Sequence, residues 1–177
     1  MDWLLIAVRA VHYGATIVLF GEMAFALLIS GRPTSERGTL PDERAGEAAY
    51  RRFCRVAVAA WAVMLISGAC WLALVTAQMS GVPLGAITAS AIATVLGSTV
   101  FGQAWSFRAL MALVLALFWL ILRTGPPREP WLPVLSVGVT GGLLAGLAWA
   151  GHANAEVGAQ GAVHHMSDTA HLLAAGN

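Results

Sequence analysis

The chain has 177 residues, 58% hydrophobic and 11% charged, with a formal net charge of +1 and a mean hydropathy of +0.74. Soluble domains carry about 25% charged residues, so these figures exclude a soluble core with a single anchor and indicate a bilayer protein with apolar stretches along its whole length. The small net charge excludes a nucleic-acid-binding patch; every basic residue is arginine.

The first expected span is 3–30, roughly 20 apolar residues being enough to cross a hydrocarbon core of about 30 Å. It carries Arg9, His12 and Glu22. No basic segment precedes it and its apolar run is too long for a cleavable leader, so it is expected to stay as a span. Residues 31–55 form a polar loop with Arg32, Arg37, Arg44, Arg51, Arg52 and Arg55. Short arginine-rich loops stay in the cytoplasm, which sets the N-terminus on the outer side. The second span is 56–78. Cys54 and Cys70 are sixteen residues apart, about 24 Å along one helix, too far for a disulfide.

Residues 79–103 are rich in Gly, Ala, Ser and Thr and contain Pro83. Within them 84–96 is expected as a short helix at the outer interface. Were it to span, Arg123 and Arg128 would face outward, against the positive-inside bias. The third span is 105–122, followed by a basic, proline-rich cytoplasmic turn. The fourth is 131–149, where Gly138, Gly142 and Gly146 share a face open to close helix approach. An outer loop follows, and an incomplete fifth helix, 164–177, is too short to cross. The expected fold is therefore an all-α membrane protein: one polytopic domain of four transmembrane helices plus an incomplete fifth, with a short outer interfacial helix, the amino-terminal part of a longer architecture. Trp3, Trp71, Trp105 and Trp149 fall toward the outer side, and Trp61, Trp119 and Trp131 toward the inner, as two interfacial belts.

The chemistry concentrates in histidines. All five are expected on the outer side. On a helix His164, Asp168 and His171 share one face. A carboxylate between two imidazoles fixes a tautomer and raises ligand basicity. His165 lies about a quarter turn away, and Met166 adds a thioether. Imidazole suits copper and zinc, and thioether sulfur favours Cu(I). The same residues also read as a solvated helix start, with Asp168 serving the helix dipole. His152 closes the fourth span opposite this group. His12, inside the first span, reads either as a further ligand or as a hydrogen-bonded interior histidine, because intramembrane polar residues face a bundle interior or a wet cavity. Arg9 snorkels outward or pairs with Asp168 or Asp2. Glu22, about 15 Å below His12, is out of reach of that site and is expected to pair with an inner-rim arginine such as Arg55. Arg108 is expected as an interfacial anchor. There is no phosphate-binding glycine loop, no Cys-x-x-Cys, no His-Glu-x-x-His and no Ser/His/Asp set, so no enzyme is indicated.

Four stretches resemble the copper resistance protein D family: Arg9-Ala-Val-His12-Tyr-Gly-Ala; Phe101-Gly-Gln-Ala-Trp105-Ser-Phe-Arg108; Gly151-His152-Ala153; and His164-x3-Asp168-x2-His171-Leu-Leu-Ala-Ala. The resemblance covers the amino-terminal part of that family. It implies a bacterial inner-membrane protein, N-terminus periplasmic, that moves copper inward beside a periplasmic copper-binding partner of the CopC type. It also implies copper ion as the metal and His12, His152, His164 and His171 as ligands; His165, Met166 and Asp168 join the candidate metal set from the residue reading, and ligand type alone allows zinc. Two other readings stand beside it: a haem b electron-transfer protein with axial histidines such as His12 and His171, and a non-catalytic membrane assembly subunit.

Overall fold

The computed structural model describes residues 2–30, 43–121, 131–148, 167, 169–171 and 174. Within them the chain forms helices α1 (Asp2–Ser30), α2 (Glu43–Ser80), α3 (Ala89–Ser98), α4 (Val100–Ile121) and α5 (Trp131–Ala148). A short 3-10 turn, Leu84–Ala86, lies between α2 and α3. No strand occurs among the described residues. Ser167, 169–171 and Ala174 are helical, in the segment expected to begin a fifth helix.

Three segments are long and apolar enough to cross a membrane: Trp3–Leu28, Arg51–Ser80 and Val100–Leu120. α5 has 18 residues. Its length of about 27 Å lies at the lower end of what crosses a hydrocarbon core. α2 begins well before the expected span, so Arg51, Arg52 and Arg55 belong to its first turns rather than to a loop.

The distribution of side chains is that of a membrane bundle. The outward faces carry Ile6, Val11, Val18, Phe25 and Leu28 on α1, Ile66 on α2, and Leu110, Leu113, Leu117 and Leu120 on α4. The interior holds His12, Thr16, Ser67, Thr76, Arg108, Ser136 and Thr140. A water-soluble protein shows the reverse pattern. Lipid gives helices no hydrophobic reason to associate, so small residues and internal polar contacts hold such bundles together. The buried hydroxyls bond back onto their own helices, Thr16 to the His12 carbonyl, Thr76 to Leu72 and Thr140 to Ser136, each at 2.8 Å. No hydroxyl of that set is therefore left unmet where water is absent.

α1 packs against α2 and α5, and α5 packs against α4. Two tryptophans join α2 to α4: Trp61 Nε1 donates to the Ala112 carbonyl at 3.1 Å, and Trp105 Nε1 to the Gly68 carbonyl at 3.2 Å. Consecutive long helices run antiparallel. One apolar cluster unites Leu5 and Phe20 of α1, Trp71, Leu74 and Val75 of α2, and Leu144 and Leu147 of α5, with Phe101 of α4 packed against it. Trp71 near the end of α2 meets Phe101 at the start of α4 and Arg9 near the start of α1, and Gly146 near the end of α5 lies against Arg108, so these four helix ends share one end of the bundle, here termed the upper end. A second cluster, with Met23, Ala57, Ala60, Met64, Ala112, Leu115 and Val139, fills the middle and lower part.

α3 does not cross. Its ten residues span about 15 Å, half a hydrocarbon core. Thr88 caps its start, accepting from the Ala91 amide at 3.2 Å. Thr99 breaks the helix in an extended conformation, takes the Gly102 amide on its side chain at 2.9 Å and so starts α4. α3 then lies back along α4, and Gly102 makes this possible. A Cβ there would overlap the Val95 carbonyl oxygen and sit 2.5 Å from the Leu96 Cα.

The tryptophans expected as belts differ in their surroundings. Trp3 is 72% exposed and Trp131 is also exposed, but Trp71 is completely buried, while Trp61 and Trp105 serve as interhelical donors. Of the three glycines on the α5 face, Gly138 has open space, Gly142 makes ordinary contact, and only Gly146 is closely approached. Both cysteines are free. Trp149 and the turn at 122–130 lie outside the described residues, as does 31–42.

Candidate functional site

The polar centre of the bundle is built on His12, which is 4% exposed. Its Nδ1 donates to the Met64 carbonyl at 2.9 Å and lies 3.0 Å from the Ser67 hydroxyl. Arg108 Nη2 donates to His12 Nε2. A carbonyl on one side and a guanidinium on the other assign the ring proton to Nδ1 and the lone pair to Nε2. That lone pair is spent on Arg108. The second polar contact of Arg108 is Nε to the Leu143 carbonyl, 3.3 Å.

The sequence expectation for Arg108 was an anchor at the membrane interface. The structure overturns it: Arg108 is 5% exposed. α4 begins at Val100 rather than at Trp105, so Arg108 lies two turns inside the helix and faces the bundle. Two glycines make room for the pair. A Cβ on Gly68 would meet His12 Cε1 at 3.1 Å, and one on Gly146 would meet Arg108 Cγ at 2.7 Å and Cδ at 2.9 Å. The last turn of α5 is thereby brought against Arg108, and through it against His12.

Trp71 is the hub of this layer. His12 meets its ring edge-on at 5.5 Å, and Phe101 and Tyr13 pack at 5.4 and 6.0 Å. Two guanidinium carbons approach the same ring, Arg9 at 5.2 Å and Arg108 at 6.0 Å. Arg9 therefore turns inward onto an aromatic face. Its Nε and the Trp71 Nε1 are both buried without a hydrogen-bond partner among the described residues. Trp71 and Arg108 are the residues that sequence reasoning missed here. The signal for Arg108 was present, a cation in a continuous apolar run that starts five residues before Trp105. Glu22 is half-buried, and no ion pair joins it to Arg55 among the described residues; Arg55 Nε donates to the Arg51 carbonyl on its own helix.

Of the seven candidate metal ligands, only His12 and His171 are described. His171 is helical and exposed. His152, His164, His165, Met166 and Asp168 lie outside the described residues. Among the described residues no group of three or more His, Cys, Asp or Glu side chains gathers around a common point. As the bundle stands, a copper ion gains no lone pair from His12 unless Arg108 withdraws. The same holds for an iron.

The fold and this centre define an all-α membrane protein with a charged, hydrogen-bonded layer between its helices. The model of the copper resistance protein D-like N-terminal domain matches residues 1–162. The chain belongs to that family, and the membership supports a role in copper resistance. No curated protein and no solved structure gives a match.

Proposed function

We propose that the chain captures copper at the upper end of the bundle and passes it inward, as part of a copper-transporting resistance protein of the bacterial inner membrane. The upper end faces the periplasm and Arg51, Arg52 and Arg55 face the cytoplasm, following the positive-inside bias. His152, His164, His165, Met166, Asp168 and His171 supply the capture set, a mixture of imidazole, thioether and carboxylate that suits copper. His12 takes the ion only after Arg108 swings off its Nε2. A periplasmic copper carrier of the CopC type delivers the ion.

One observation carries the reading. The antiparallel order returns α5 to the end at which α1 starts, and Gly146 at the end of α5 touches Arg108, which holds His12. α5 therefore ends beside the buried histidine, and His152 follows Gly146 by six residues in the sequence. The haem b reading meets the same obstacle at His12; the family match favours copper over it.

Copper titration of the purified full chain in detergent tests this. A His152→Ala, His164→Ala, His171→Ala triple variant is expected to lose at least tenfold in affinity. His12→Asn is expected to leave first capture nearly unchanged while blocking transfer into proteoliposomes. Unchanged affinity in the triple variant rejects the capture site.

A further inference from the structure

Among the described residues the centre around Trp71 is rich in donors. Trp71 is completely buried, and neither its Nε1 nor the buried Arg9 Nε has a hydrogen-bond partner among them. Two guanidiniums stand within about 6 Å of the same indole, and no ion pair to either occurs among the described residues. Glu22, the acid whose side chain is described, is thirteen residues from Arg9, about 20 Å along α1. The accepting ring nitrogen of His12, Nε2, is already used by Arg108. Paired cations in a membrane interior without a counter-charge are costly, and a buried charge is retained where it meets an opposite one.

We propose that Arg9, Trp71 and Arg108 form a carboxylate-binding site at the upper end of the bundle. A carboxylate carries one charge and two oxygens in a plane. One oxygen takes the Arg9 Nε–H and the other the Trp71 indole N–H, both now unmet. The guanidinium of Arg108, 6.0 Å from the same ring, adds its charge. A phosphate brings a second charge and a larger desolvation cost into a layer where His12, Trp71 and Arg108 are all buried. A halide can accept from both donors but lacks the planar pair of oxygens that would meet them one to one, so chloride is the control. Entry is past Arg9, the half-buried member of the set. The carboxylate belongs either to a small soluble acid or to an acidic side chain of this chain, and the site requires no metal.

The probe is sodium acetate, with sodium chloride at matched ionic strength, added to the full chain in detergent micelles. The readouts are the thermal midpoint and the indole 15N–1H spectrum, in which one of the seven tryptophan signals should move. Acetate is expected to raise the midpoint saturably by several degrees. Arg9→Gln, a substitution at a partly exposed position, should cut that response at least fivefold. If the wild type is silent but an Asp2→Asn, Glu156→Gln, Asp168→Asn variant responds in an Arg9-dependent way, the occupant is the chain's own carboxylate. The proposal is overturned if neither protein responds, if chloride reproduces the effect, or if Arg9→Gln responds like the wild type.

Discussion

At the scale of single residues, the bundle turns on one contact between a neutral imidazole and a guanidinium. Arg108 donates to His12 Nε2 and to the Leu143 carbonyl, and His12 Nδ1–H donates to the Met64 carbonyl. Each partner satisfies the other in a buried layer. Removing one end leaves a buried donor unmet, which costs about 1–3 kcal/mol, while removing both ends is nearly neutral. His12→Leu should therefore lower the unfolding free energy in mixed micelles by about 1–3 kcal/mol. Adding Arg108→Met to His12→Leu should recover most of that loss. A double variant less stable than either single one would mean that the two side chains do not stabilise through each other. His12 was visible in the sequence as a polar residue inside an apolar run. Its partners were not, because Met64, Ser67 and Arg108 lie 52, 55 and 96 residues away, and no periodicity encodes such pairings.

At the scale of elements, helices and their limits follow from local chemistry, and helix neighbours follow from glycines. The apolar runs marked α1, α2, α4 and α5 because a bilayer demands continuous hydrophobic length. Their ends were less legible. α2 starts at Glu43 among charged residues that read equally well as a loop, since good helix formers such as Glu, Arg and Ala carry no hydropathy signal. The short apolar stretch after Pro83 was recognisable as too weak to span, and the structure explains its course: Thr99 stops α3, and Gly102 lets α3 lie on α4. Gly102→Ala should force the two helices apart, at a cost of about 1–3 kcal/mol for overpacking, with faster amide exchange across residues 89–98. Gly97 is the internal control. It sits in α3 with nothing within 4 Å of an added Cβ, so Gly97→Ala should stabilise by up to about 1 kcal/mol through helix propensity alone. Equal responses at the two positions would show that the close approach at Gly102 does not hold α3 in place.

At the scale of the whole molecule, the argument rests on how often the chain crosses. Loop charge set the expected sidedness, and the packing bears on the parity of crossings. The Trp71 ring of α2 meets Phe101 of α4 and the Arg9 guanidinium of α1, so the excursion through α3 begins and ends at the upper end. An even number of crossings then separates the start of α1 from the end of α5, whichever way the bundle sits in the bilayer. What the apolar pattern could not supply was the inside-out sorting, in which lipid-facing leucines and core-facing hydroxyls share the same helices; mean hydropathy averages over both faces. Single-cysteine labelling tests the count. In a Cys54→Ala, Cys70→Ala background, Thr88→Cys and Asn154→Cys should both react with an impermeant maleimide in cells whose outer membrane is permeabilised. Arg52→Cys, at the opposite end, should react only after the inner membrane is broken. Opposite reactivity of Thr88→Cys and Asn154→Cys would put an odd number of crossings between them. The segment after α5 would then be separated from His12 by the full thickness of the membrane, and no ion could pass directly from one to the other.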